Sequence, residues 1–256
     1  MTSSITVVTG ASSGIGAATA QRLAARGHRV ALLGRNEAAL ATVTASLPPV
    51  TGGPHLAITC DVTQADQVES VVSQISEEAG VPTALVNAAG ICVPAPLEDL
   101  SVDGWMTTLN TNLTGTFLIS KAVAGRIRSA GLTGSIVNLG SEAGSIGMPH
   151  YVAYCASKAG VVGLTRAMAA ELAPHVRVNA LCPGPVDTPM LRAELAMTSD
   201  PDAAWEAEIA RVPLRKVASA AEVADAAVFL LTAPNATATV LSLDGGTTSA
   251  FYGVSN

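Results

Sequence analysis

Aromatic residues are scarce in this chain. Three Phe, three Tyr and two Trp make up 3% of 256 residues, while hydrophobic residues of all kinds reach 49%. The core must therefore be assembled from Ala, Val, Leu and Ile, the composition of buried parallel strands covered by helices. Charge is sparse as well: 14 Lys and Arg stand against 20 Asp and Glu, a net charge of −6, and the basic residues are scattered. That pattern argues against a nucleic-acid partner, which needs a clustered basic face. Cys60, Cys92, Cys155 and Cys182 form no C-x-x-C pair. They speak against a zinc site or a disulfide framework and suit a reducing cytoplasm. His28, His55, His150 and His175 lack ligand spacing, so no metal is expected. No uninterrupted apolar stretch approaches membrane-spanning length, and no membrane partner is expected. The segment Met1-Thr-Ser-Ser-Ile5 has no positive residue and does not read as a secretory signal. With no Pro/Ser/Gly linker, residues 1–256 read as one α/β domain.

What is present alternates strand and helix. A β-branched run, Ile5 to Thr9, leads into Thr9-Gly-Ala-Ser-Ser-Gly-Ile-Gly16 and a helix over Ala17 to Ala25. Glycines let backbone approach a pyrophosphate, and the free N–H groups opening a helix supply positive partial charge. Ser12, Ser13 and Ile15 would offer donors there. A tight connection with no ligand is the plainer reading of that turn alone. The second strand, Arg29 to Leu33, ends in Gly34-Arg35-Asn36. A carboxylate there would accept from a ribose 2′-hydroxyl, whereas Arg35 would pair with a 2′-phosphate, which favours NADP(H) and leaves NAD(H) possible. A solvated arginine opening the helix Glu37 to Leu47 is the alternative.

A third strand, Leu56 to Cys60, ends at Asp61-Val62, where the acid would accept the adenine amino group or cap the helix beginning near Gln64. After a helix over Gln67 to Ala79, Ala84 to Val86 delivers Asn87-Ala-Ala-Gly90, a small-residue turn with room for a flat ligand. Asn87 would alternatively brace the sheet by bonding to backbone. Leu97 to Leu109 and Phe117 to Ile127 read as helices, with Asn112 between them as an amide at an unfavourable place, either polar in role or stabilising a kink. Ser135 to Leu139 is the fifth strand, and Ser141 sits at its carboxyl edge, where open α/β sheets place their sites.

Tyr154 and Lys158 stand four apart in a helix over Ala153 to Leu172, hence on one face, and a nearby ammonium favours phenolate. The small and apolar residues of that helix do not keep to one stripe, which predicts cover by the sheet on one side and by another subunit on the other. Arg177 to Leu181 is the sixth strand, Cys182-Pro-Gly-Pro185 ends it, and Val186 to Pro189 turns back toward the site. Residues 189–213 read as a mobile lid over an apolar substrate or as a plain surface helix pair. A helix over Ala220 to Thr232 and a seventh strand, Thr239 to Leu243, complete a mainly parallel sheet with right-handed crossovers.

Together, Thr9-Gly-Ala-Ser-Ser-Gly-Ile-Gly16, Asn87-Ala-Ala-Gly90, Asn112, Ser141, Tyr154-x-x-x-Lys158 and Pro183-Gly184 resemble the short-chain dehydrogenase/reductase family over nearly the whole chain. The resemblance implies a three-layer, doubly wound, Rossmann-like fold with strand order 3-2-1-4-5-6-7, and a homotetramer or dimer. It also implies that Tyr154 is the general acid/base and that Lys158 lowers its pKa while bonding the nicotinamide ribose. Ser141 would polarise the substrate carbonyl, and Asn112 would hold a water relaying protons to the lysine. Gly10, Ser12, Ser13, Ile15 and Gly16 would cradle the phosphates, Arg35 the 2′-phosphate, and Asp61 and Val62 the adenine. Asn87, Gly90, Pro183, Gly184, Val186 and Thr188 would line the rest. Ala88 departs from a frequent second asparagine. The expected function is an NADPH-dependent carbonyl reductase of a small-molecule ketone: a 3-oxoacyl thioester, a polyketide-like ketone or a cyclic one. An alcohol dehydrogenase working oxidatively and a non-catalytic dinucleotide sensor are the alternatives. Ile91, Pro94, Glu142, Met148, His150, Tyr151 and the stretch Met190 to Trp205 are expected as pocket walls, with His150 also readable as a solvent-facing turn residue.

Overall fold

A computed structural model describes residues 5 to 249. Residues 1–4, most of the segment read above for a secretory signal, lie outside the described residues, as do residues 250–256. The strands are β1 (Ile5–Thr9), β2 (Arg29–Gly34), β3 (Leu56–Thr59), β4 (Ala84–Asn87), β5 (Gly134–Leu139), β6 (Val176–Pro183), β7 (Val186–Asp187), β8 (Ala218–Ser219) and β9 (Val240–Leu243). Seven form one sheet in the order β3-β2-β1-β4-β5-β6-β9, with every pairing parallel. This is the expected order, with β9 as its seventh strand.

The helices are α1 (Gly14–Ala24), α2 (Glu37–Ala45), α3 (Ala65–Ala79), α4 (Val102–Leu109), α5 (Gly115–Ser129), α6 (Val152–Leu172), α7 (Pro189–Leu195), α8 (Pro201–Arg211) and α9 (Ala220–Thr232). Alternation along the strands sends side chains to two faces. Ile5, Val7, Ala31 and Leu33 pack with Val72 and Ile75 of α3 and Ile119, Val123 and Ile127 of α5. Val8, Val30 and Leu32 pack with Ala20 and Leu23 of α1 and Val223, Ala227 and Leu230 of α9. Both faces are buried, which is why the strands read as nearly continuous apolar runs. Each fully buried Val, Leu or Ile contributes about 1.5–3 kcal/mol, so the aliphatic core suffices without aromatics.

Several boundaries differ from expectation. Helix α1 opens at Gly14 rather than Ala17, because the glycine turn winds straight into the first helical turn. Helix α4 begins at Val102 rather than Leu97: Ser101 Oγ accepts from Gly104 N at 3.0 Å and sets the start. Asn110–Thr114 form a π-helical turn between α4 and α5. A separate two-stranded sheet, β7 with β8, lies beyond β6. The stretch 189–213 is a helix pair, its break at Asp200, which caps α8 by accepting from Ala203 N at 3.0 Å. In α6, Val161, Thr165, Ala169 and Leu172 are buried, while Ala159, Gly163, Ala167 and Ala170 are exposed on this chain. No helix among the described residues is long and apolar enough to cross a membrane.

Candidate active site

Strand ends β1, β2, β4, β5 and β6 converge above the sheet's carboxyl edge on two adjoining clefts. The first is lined by the glycine turn: Gly10, Ser12, Ser13, Ile15 and Gly16. Gly10 has φ of +64°, and a Cβ there would meet Ala89 N at 2.7 Å; one at Gly16 would meet Gly10 O at 2.3 Å. Only glycine fits either position. Ser13 caps α1 by position alone and makes no side-chain cap bond. The turn that follows β4 is pinned to β1 because Thr9 Oγ1 accepts from Ala88 N and Ala89 N, both at 3.1 Å.

Arg35, Asp61, Val62 and Gly90 line the same cleft. Arg35 is exposed at the end of β2, beside Gly34. Asp61 Oδ1 accepts from Thr63 N at 3.0 Å and Thr63 Oγ1 at 2.8 Å. This Asx-type turn, and not a direct cap, leads into α3, whose cap position is Gln64. Ile15, Gly90 and Thr188 belong to both clefts, so the two are continuous.

The second cleft is lined by Ser141, Tyr154, Lys158, Pro183, Gly184 and Val186, along with Thr188. Ser141 follows β5, and its Oγ accepts from Ala143 N at 3.2 Å. Tyr154 lies in the first turn of α6, and Lys158 one turn on, its Nζ 5.5 Å from the centre of the Tyr154 ring. Lys158 is buried and donates to Leu139 O at 2.8 Å, which ties α6 to the end of β5. Burial pushes the lysine down to about 8, opposed by Cys182 and Cys92. Burial also pushes the Tyr154 phenol above its ordinary value, reinforced by Cys92 and relieved by a hydrogen bond with Ser141. Burial is thus the largest influence on the phenol, and Lys158 is not among the groups that shift it.

Two expected site residues lie behind the walls. Asn87 lines neither cleft. Its Nδ2 donates to Ser120 Oγ and Asn138 Oδ1, both at 2.8 Å, bracing β4 against α5 and β5 through side chains and not through backbone. Asn112 is buried in the π-helical turn. Its Oδ1 accepts from Ile91 N at 2.8 Å, while Nδ2 donates to Ile91 O at 2.9 Å and Ser157 Oγ at 3.0 Å. Both amide protons are spent on protein, so the side chain clamps the loop after β4.

Among the expected pocket walls, Glu142, Met148, Tyr151, Met190 and Leu191 line the second cleft, and Ile91 lines the first. Pro94, His150 and Trp205 line neither. His150 is an exposed turn residue with φ of +70°, and the Trp205 ring lies under the Arg192 guanidinium at 4.2 Å. Cys92, Glu208 and Arg211 line the second cleft unforeseen. Glu142 is buried and paired with Arg211 at 2.6 Å, Arg211 holds Glu208 at 2.8 Å, and Tyr151 donates its hydroxyl to Glu194.

A family profile described as "Enoyl-(Acyl carrier protein) reductase" matches residues 10–248. The chain is 40% identical to carbonyl reductase family member 4 of Danio rerio, over 95% of this chain and 98% of that protein. Its fold is similar to a short-chain type dehydrogenase/reductase from Mycobacterium marinum, with 35% identity, TM-score 0.89 and 97% of each chain covered. It is also similar to a single-substitution variant of actinorhodin polyketide ketoreductase solved with NADPH, at 36% identity and TM-score 0.90, covering 97% of this chain and 98% of that one. A doubly wound parallel sheet with a phenol and an ammonium at its carboxyl edge defines an oxidoreductase acting on CH–OH/C=O groups. The chain belongs to the short-chain dehydrogenase/reductase family, whose coenzyme is NAD(P)(H).

Proposed function

We propose that this protein is an NADPH-dependent carbonyl reductase that reduces a ketone, with Tyr154 as general acid. The observation that carries the reading is that Ser141, Tyr154 and Lys158 share one cleft, which opens into a second walled by the glycine turn and Arg35. The residues fit the coenzyme: Gly10 and Gly16, where a Cβ would strike backbone, keep the turn tight, and it lines the cleft with Ser12, Ser13 and Ile15. Gly10, Ser12, Ser13, Ile15 and Gly16 would hold the phosphates, Arg35 the 2′-phosphate, and Asp61 and Val62 the adenine. Gly90, Pro183, Gly184, Val186 and Thr188 would flank the remainder, with Lys158 on the nicotinamide ribose. Asn87 and Asn112 act as positioning residues behind these walls. The NADPH named with the actinorhodin ketoreductase supports the choice, as does the absence of an acid at Gly34.

When bound, the coenzyme supplies the hydride to the carbonyl carbon. Tyr154 delivers its proton to the carbonyl oxygen as charge develops there, and Ser141 donates a hydrogen bond to the same oxygen. A phenol held above its ordinary pKa keeps that proton available throughout the neutral range. The ketone class is a 3-oxoacyl, polyketide-like or cyclic one, the second supported by the actinorhodin relative. The helix pair at 189–213 serves as a lid. The exposed small-residue face of α6 supports a homotetramer or dimer, readable by light scattering, and four unpaired thiols support a cytoplasmic setting.

The test is NADPH oxidation over a panel of ketones, with NADH in parallel. Tyr154→Phe is expected to lower kcat by about 10²- to 10⁴-fold while NADPH affinity, read by fluorescence titration, stays nearly constant. Wild-type-like turnover in that variant, or coenzyme binding with no turnover of any ketone or alcohol, overturns the reading.

A further inference from the structure

We propose that Glu142 selects the substrate, and that the preferred ketone carries a hydroxyl group near its carbonyl, whose hydrogen bond Glu142 Oε2 accepts. The inference rests on the ketone-reducing reading above. Glu142 directly follows Ser141 and opens the short 3₁₀ turn Glu142–Gly144, and both residues line the second cleft. Glu142 is 3% exposed. One oxygen, Oε1, accepts from Arg211 Nη2 at 2.6 Å. The other, Oε2, is buried with no hydrogen-bond partner among the described residues. A buried carboxylate oxygen left unpaired is costly, and a ligand donor reaching it recovers that cost.

The chemistry of the donor follows from the neighbours. Arg211 already compensates the charge of Glu142, and its own geometry is fixed by Glu208 through Nε at 2.8 Å. An ammonium on the substrate would have to approach a carboxylate that a guanidinium already occupies. A carboxylate or phosphate near Oε2 would face Glu142, Glu194 and Glu208 around the same cleft. A neutral hydroxyl meets neither penalty. A site that hydrogen-bonds a substrate hydroxyl rejects the analogue lacking it more strongly than an apolar pocket separates two hydrocarbons.

The measurement is kcat/KM with NADPH for 2-hydroxycyclohexanone against 2-methylcyclohexanone, two rings of similar bulk that differ in the donor. Wild type is expected to favour the hydroxylated ring by at least about 10-fold. Glu142→Gln places a donor where the acceptor stood and is expected to bring the ratio close to one. A purely structural role for Glu142 would lower both rates together and leave the ratio as it was, which overturns the proposal. So does a wild-type enzyme that reduces both rings equally, a result independent of how the variant folds and one that leaves the ketone-reducing reading intact. Turnover of no ketone at all overturns both.

Discussion

Lys158 carries an ammonium into surroundings that disfavour charge, and the consequence is a pH-dependent stability of definite sign. The side chain titrates near 10.5 in an unfolded chain and at about 8 here, through burial. Below pH 8 both states are protonated and the folded chain bears the full burial cost. Between those two values the unfolded state binds more protons, so stability rises with pH. The difference corresponds to about 3 kcal/mol, offset by about 1 kcal/mol from the bond to Leu139 O. Lys158→Met in coenzyme-free protein should therefore raise the urea midpoint at pH 7, and the advantage should shrink by pH 10. A gap that does not change with pH would mean that charge burial is not its cause. The glycine turn makes a harsher demand. Gly16→Ala drives a methyl to 2.3 Å from Gly10 O, backbone that cannot yield without moving the cradle. Loss of NADPH binding by at least about 10-fold, together with a lowered Tm, is the expected outcome. That requirement was legible in the spacing of Gly10, Gly14 and Gly16. The direction of the Tyr154 shift was not, because residues four apart on a helix reveal proximity but not how much water each retains.

At the scale of the element, the end of β2 decides which coenzyme is read. Gly34 is the last residue of the strand, and a Cβ there would meet Leu40 Cδ2 at 3.4 Å and Ser12 Oγ at 3.5 Å, ordinary contact distances. A side chain can thus begin at this position without a clash at its Cβ. The double substitution Gly34→Asp with Arg35→Leu replaces the partner of a 2′-phosphate by an acceptor for a 2′-hydroxyl. The expected result is a fall of at least about 10-fold in kcat/KM for NADPH with a rise for NADH. An unchanged preference would place coenzyme selection elsewhere in the cleft. The strand-end position of Gly34-Arg35 could be read directly, since a β-branched or aliphatic run stops abruptly at a glycine. The π-helical turn at Asn110–Thr114 could not. What the sequence displays there is an amide where helix propensity resists one, and only the fold shows that Asn112 spends its polar atoms clamping Ile91 and Ser157.

Across the whole molecule, the alternating periods of strand and helix pointed to a mainly parallel sheet with right-handed crossovers, while the order of its strands was what the family resemblance implied. Contacts between distant segments carry no such signal. Glu142 follows β5 and Arg211 ends α8, and neither belongs to a spaced motif, yet their ion pair joins α8 to the edge of the central sheet. Burial pushes the Glu142 carboxyl up while Arg211 holds it down, so the pair is coupled. The side chains are 4% and 28% exposed, so the arginine is partly solvated and the contribution lies below that of a fully enclosed pair. Removing the cation alone strands a buried carboxylate. Arg211→Met should therefore cost about 2–3 kcal/mol in urea unfolding at pH 7, and less at pH 5, where the stranded acid takes up a proton more readily. Glu142→Gln together with Arg211→Met should lose less than the two single changes summed, by at least about 1 kcal/mol. Additivity would mean that the ion pair contributes nothing to keeping α8, whose Glu208 and Arg211 line the second cleft, in place.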